Sequence, residues 1–145
     1  MITIDEFKKI DNEARQKRPK IFYFTDREPK ATKEDIEAVE NILRCRLPIA
    51  YNDFLLNFSG GDYGLTNIFS MRPDSKWYII KCLDYLPFEM QKSYVPFSDD
   101  QCGGRYLFKK ESGQLLETVH YWNLDGGLDR ITYANLFDYL IRFAH

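Results

Sequence analysis

The stretch Ile36–Gly61, IEAVENILRCRLPIAYNDFLLNFSGG, decides the fold. Ile36, Val39, Ile42 and Leu43 recur at helical spacing as an apolar stripe, with Glu34, Glu37 and Glu40 on the wet side. Ahead of the stripe, Thr32 followed three residues later by Asp35 reads as a capping box. Leu47-Pro48 stops that helix and starts another, because proline's fixed φ suits a first helical turn. Tyr51, Phe54, Leu55 and Phe58 share one face of the second helix. Ser59-Gly60-Gly61 should close it, with glycine supplying a left-handed C-cap.

Upstream, Thr3 and Glu6 form another capping box, and Ile4, Phe7, Ile10 and Ala14 carry a helix to about Lys17, before Pro19. The apolar knot Ile21–Phe24 reads as a short strand or extended arm. Downstream the texture changes to short β segments between turn residues: Asn67–Met71, Trp77–Cys82, Tyr94–Phe97, Arg105–Lys109 and Thr118–Trp122. Trp77–Cys82 packs equally well as a helical turn. A last helix, Tyr133–Phe143, sets Phe137, Leu140, Ile141 and Ala144 on one face. Helices at both ends of a run of strands indicate α+β, with short glycine-bearing turns favouring antiparallel pairing. The expected fold is a bent antiparallel sheet of about five to six strands, with N-terminal helices and a C-terminal helix packed at its ends and on one side. Residues 1–145 should form a single domain, with 1–31 a variable helix and arm and 32–145 its core.

With 44% hydrophobic and 29% charged residues, the chain is globular in composition, not disordered. A net charge of −2 gives no nucleic-acid footprint, and the basic run Arg15–Lys20 is explained by a solvated helix end. Cys45, Cys82 and Cys102 are too few and too widely spaced for a disulfide framework or a zinc ribbon. Met1–Glu6 lacks the pattern of a signal peptide, and no apolar run reaches membrane length, so a cytoplasmic location without membrane contact is expected.

Candidate chemistry meets a structural explanation at each point. Ser59–Gly64 follows a helix, whereas a phosphate loop follows a strand and opens one. His120 and Cys102 are a possible base and nucleophile, but no oxyanion signal accompanies them. Asp99, Asp100, Asp125 and Asp129 adjoin glycine turns, where aspartate is expected, so they do not by themselves indicate a metal. The reading is no catalysis, no cofactor and no metal. The loops do pair aromatics (Tyr63, Trp77, Tyr78, Trp122, Tyr133) with acids (Asp62, Asp74, Asp99, Asp100, Asp125). Anchors beside acids suit docking of a basic protein, and core packing with solvated turns is the competing explanation.

Four ordered segments resemble the SUKH superfamily, the Smi/Knr-type domains of bacterial immunity proteins and fungal cell-wall regulators. The first is Ile36–Gly61, with Leu47-Pro48, Tyr51, Phe54-Leu55 and Gly60-Gly61. The second, YVPFSDDQCGGRYLF, is a strand, the loop Asp99–Gly104 with Gly103 and Gly104, and a second strand. ETVHYWNLDGG and ITYANLFDYLIRF complete the set. The resemblance implies a non-catalytic protein-binding domain: an immunity protein, monomeric or weakly dimeric, that neutralises a cognate polymorphic toxin. An intracellular scaffold or regulatory module of the Smi/Knr type is the alternative.

Overall fold

The computed structural model describes residues 1–23 and 28–145. Its helices are α1 (Ile4–Lys17), α2 (Lys33–Leu43), α3 (Ile49–Asn57), the short α4 (Ile79–Cys82) and α5 (Leu136–Phe143). The strands β1 (Gly61–Tyr63) and β2 (Thr66–Ile68) form a hairpin. The strands β3 (Tyr94–Asp99), β4 (Gly104–Glu111), β5 (Gln114–Asn123) and β6 (Gly127–Tyr133) form an antiparallel meander in chain order. Phe69 N donates to Phe97 O at 2.7 Å and Ser98 Oγ to Asn67 O at 2.6 Å, which fastens the hairpin to β3. The architecture is α+β, a bent antiparallel sheet with helices at both ends of the chain.

Both expected capping boxes form: Thr3 with Glu6 starts α1, and Thr32 with Asp35 starts α2. In α2, Ile36, Val39 and Leu43 are buried, but Ile42 is 56% exposed. At about 100° per residue it stands roughly 240° round the helix from Ile36, so it does not belong to the stripe. Glu40 is not simply solvated either, since its carboxylate accepts from Leu47 N at 2.8 Å. The helix α3 has no side-chain cap at Pro48. Instead the Glu117 carboxylate on β5 accepts from Ile49 N at 2.5 Å and Ala50 N at 3.1 Å, placing an anion at the positive end of the helix.

Several local expectations are corrected. Pro19–Phe22 is a 3-10 turn, not a strand, and Phe24 lies outside the described residues. After α3 the left-handed residue is Ser59 (φ 90°), followed by Gly61 (φ 89°). Gly60 serves another need: a Cβ there would lie 2.8 Å from Ser70 Cα. Trp77–Cys82 ends as α4, because the Ser70 main chain pairs with the stretch only at Trp77 O and Ile79 N, and the turn winds up behind. The strand β6 had no sequence signal, since its side chains are largely exposed and carry no apolar alternation. The last helix is capped by Asn135, whose side chain accepts from Asp138 N at 3.1 Å, so it starts at Leu136 and Tyr133 belongs to β6.

The core lies on one face of the sheet. Phe97 and Phe108 stack at 4.2 Å, and Tyr51 is buried beside them, donating to Phe69 O at 2.5 Å. The helix α1 joins this core through Phe7, stacked on Phe137 of α5 at 4.7 Å. The opposite face carries a smaller cluster, Leu86, Leu107 and Trp122, against which Met90 and Tyr94 pack. The alternation of β4 separates the two: Tyr106 and Phe108 face the main core, Leu107 the other side.

Candidate protein-docking cleft

The sheet brings the loop between β3 and β4 over the end of the hairpin. Asp99 and Arg105 stand directly opposite across the ladder. With Asp62, Lys76, Trp77, Tyr85, Gln101 and Gly103 they line an open cleft of about 640 Å³. Trp77 is stacked on buried Phe69 (ring centres 6.1 Å apart, planes within 8°), so one indole face is backed by core. The Arg105 guanidinium lies 4.7 Å from the ring centre of Tyr85, and its Nη1 donates to Gly104 O at 2.9 Å. Two smaller depressions adjoin the cleft and share its walls: Asp99 and Gln101 border one, Asp62 and Gln101 the other.

Asp100 builds the loop, not the cleft. Its carboxylate accepts from Cys102 N and Gly104 N at 2.8 Å each and from Tyr121 OH at 2.5 Å. Partial burial alone would raise its pKa, but the Tyr121 and backbone hydrogen bonds outweigh that, and the carboxyl is held below its ordinary value. Tyr121 is pushed up by the same bond. Gly104 is required here, since a Cβ would collide with both Tyr121 Oη and Asp100 Oδ2. Gly103 is free of such contacts but takes φ 93°.

The sequence-predicted docking residues divide accordingly. Asp62, Trp77 and Asp99 meet in the cleft, while Tyr78 lies half-buried at the start of α4. Asp74 pairs with Arg72 at 3.1 Å, and Asp125 is exposed in the β5–β6 turn. Two aromatics expected at the surface are buried. Trp122 stands opposite Arg105 in register but is 9% exposed, in the cluster with Leu86 and Leu107. Tyr63 is 4% exposed, and its hydroxyl donates to Asp11 Oδ1 at 2.6 Å and lies 2.9 Å from His145 Nε2. Asp11 is itself buried and bound by Arg15 at 3.0 Å, a link between α1 and the hairpin with no sequence signal, its members being 52 residues apart. Tyr85 and Arg105 were missed as cleft residues; the charge pair set across a hairpin, Asp99 with Arg105, was the available clue.

The residues weighed for catalysis are dispersed. Cys102 is exposed on the β3–β4 loop, whereas His120 sits opposite Leu107, packed edge-on to Tyr94. Burial first, then Lys109, lowers the His120 pKa. Burial raises the Cys82 thiol to about 11, the character of a core thiol and not a nucleophile. Among the described residues, no group of three or more His, Cys, Asp or Glu side chains is placed to hold a metal ion. No helix among them is long and apolar enough to cross a membrane.

No curated protein matches the chain. Among solved structures, the crystal structure of a protein from Pseudomonas syringae pv. tomato is 15% identical, with a TM-score of 0.64 over 92% of this chain and 94% of that one. At that identity the likeness shows a shared fold alone. In sequence, residues 30–142 match the SMI1 / KNR4 family (SUKH-1). That match spans well over half of the chain and takes in the Leu47-Pro48 junction, the cleft and the closing helix, so the protein belongs to the SMI1 / KNR4 family (SUKH-1).

Proposed function

We propose that this protein is a cytoplasmic immunity protein that binds a cognate toxin domain and neutralises it stoichiometrically, without catalysis of its own. The observation that carries the reading is the cleft. Its lining sets the aromatic anchors Trp77 and Tyr85 among charges of both signs, Asp62 and Asp99 with Lys76 and Arg105, a composition that suits docking of a protein surface of complementary charge pattern. Family membership supports a binding role.

The test is affinity capture of the tagged full chain from its native lysate, followed by expression of the captured partner. A partner that is toxic alone and harmless when co-expressed supports the reading. A partner that is harmless alone, bound equally by an Asp62→Asn/Asp99→Asn variant, refutes both the immunity role and the docking face.

A further inference from the structure

Beside the cleft, the depression bordered by Asp99 and Gln101 reaches the C-terminal half of α5 and has a volume of about 240 Å³. Its floor is aromatic: the ring centres of Tyr106, Tyr139 and Phe143 lie 4.4 to 5.5 Å apart. Leu65, 59% exposed at the tip of the β1–β2 hairpin, adds an aliphatic wall, and Asp99 and Asp100 stand on the β3–β4 side. Such a floor accepts a hydrocarbon chain, and carboxylates beside rings favour a cation at the end of that chain.

Two acceptors in this lining are left open by the chain itself. Tyr106 is only 7% exposed, yet its hydroxyl has no hydrogen-bond partner among the described residues. The neighbouring phenols differ: Tyr139 OH is paired with Ser98 Oγ at 2.8 Å, and Tyr121 OH donates to Asp100 at 2.5 Å. Burial first, then the Tyr133 and Tyr121 phenols and the Asp100 and Asp129 carboxylates, raises the Tyr106 pKa, so the group stays a neutral hydroxyl. Asp99 gives one oxygen to Gln101 N at 3.0 Å, and its second oxygen accepts nothing among the described residues. Arg105, across the ladder from Asp99, is turned to Tyr85 and is no part of this lining. Asp100 has its oxygens committed within the loop but stays ionised and adds its charge. The open groups are thus single acceptors, one carboxylate oxygen and one phenol oxygen. A planar guanidinium is best matched by both oxygens of one carboxylate, whereas an ammonium carries three donors that rotate to separate acceptors.

We propose that this depression is a lysine slot: it takes one lysine side chain of the docking partner, its methylenes along Leu65 and Phe143 and its ammonium between Asp99 and the Tyr106 hydroxyl. The slot shares Asp99 and Gln101 with the cleft, so a partner seated there reaches it without a second surface. The inference rests on the docking face proposed above, but the chemistry of the slot is testable without the toxin.

The probes are lysine capped as its acetyl methylamide, the same compound acetylated on its side-chain nitrogen, and the matching capped arginine, each titrated into the full chain labelled with nitrogen-15. The readout is the main-chain amide signals of Thr66 and Gln101, which line the slot, against that of Lys109 on β4, which does not. Capped lysine should shift the first two saturably and leave the third in place. The neutral acetylated form should shift none of them, and arginine should bind about threefold more weakly than lysine. Tyr106→Phe deletes only the unpartnered hydroxyl, so it should weaken lysine about fivefold, the value of one hydrogen bond, without lowering the Tm. Asp99→Asn should weaken it about threefold, the value of one exposed charge contact. No response to lysine, an equal response to its acetylated form, or full lysine affinity in Tyr106→Phe overturns the proposal. So does a response to free cadaverine without one to capped lysine, which would make this a site for small polyamines. A chain that takes lysine in this pattern yet protects no cell loses the toxin reading and keeps the slot. Protection without any lysine response does the reverse.

Discussion

Asp100→Ala should destabilise the protein although the side chain lies at the surface. The substitution removes the acceptor of three hydrogen bonds, from Cys102 N, Gly104 N and Tyr121 OH. Cys102 is exposed, and water replaces its bond. Gly104 is buried and Tyr121 half-buried, and both lose an ionised acceptor. Bonds to a charged group contribute about 1.5–3 kcal/mol each, and partial solvent access lowers the total here to about 2–3 kcal/mol. For a chain of this size that lowers Tm by roughly 5–10 °C. Asp100→Asn keeps one carbonyl oxygen and should cost about half as much. The pH dependence gives a second reading of the same bonds. The folded carboxyl titrates below its ordinary value of 3.8, so its contribution is complete above that pH and is lost as pH falls through the folded pKa. The gap between wild type and Asp100→Asn in urea denaturation should therefore be constant from pH 7 to about 5 and close below about pH 4. A loss under 0.5 kcal/mol for Asp100→Ala, on the order of an ordinary surface change, would refute the assignment. So would a gap that does not shrink in acid.

Gly104→Ala should be the more damaging change in the same loop, about 3 kcal/mol by chemical denaturation, because the new methyl collides with Tyr121 and Asp100. Asp99→Asn, by contrast, should leave stability within about 1 kcal/mol, because the amide oxygen can still accept from Gln101 N, while weakening partner association at low salt. Glu117→Ala should cost about 1–2 kcal/mol, since α3 loses the carboxylate bonded at its N-terminus, and Glu117→Gln should restore part of that. His145 has its pKa lowered by burial first, with Arg15 and Arg18 adding and Asp11 opposing. Its folded form resists protonation, so stability is intact above the ordinary value of 6.5 and falls as pH drops through the lower folded value. His145→Phe, which keeps a ring against Phe7, should flatten the Tm decline between about pH 6.5 and 5, leaving the His120 share; an unchanged slope would exclude His145 as its source.

The parts of this molecule legible in its sequence are those governed by neighbours in the chain. Capping boxes at Thr3 and Thr32 act over three residues, and both helix starts followed from them. The β3–β4 and β4–β5 turns declared themselves through Gly103, Gly104 and Gly113. Residues whose role depends on distant partners were misjudged. Tyr63 and Trp122 looked like surface anchors because loops flank them, but Asp11 claims one and Leu86 covers the other. Asp100 looked like a docking charge next to Asp99, and only the arrival of Tyr121 from β5 turns it inward. Of the expected residues, Asp62, Trp77 and Asp99 line the cleft, together with Tyr85 and Arg105.

The Glu117 clamp on α3 also bears on how the chain is made. A helix whose first turn is stabilised from 67–68 residues downstream lacks that support while the ribosome is still building the intervening strands. The α2 segment needs no such help: its own Thr32 and Asp35 close its first turn at once. During synthesis α2 gains its structure early, whereas the start of α3 waits for β5 to emerge and swing Glu117 into place. Excised peptides should reflect the same order, with residues 30–45 more helical in water than residues 46–60.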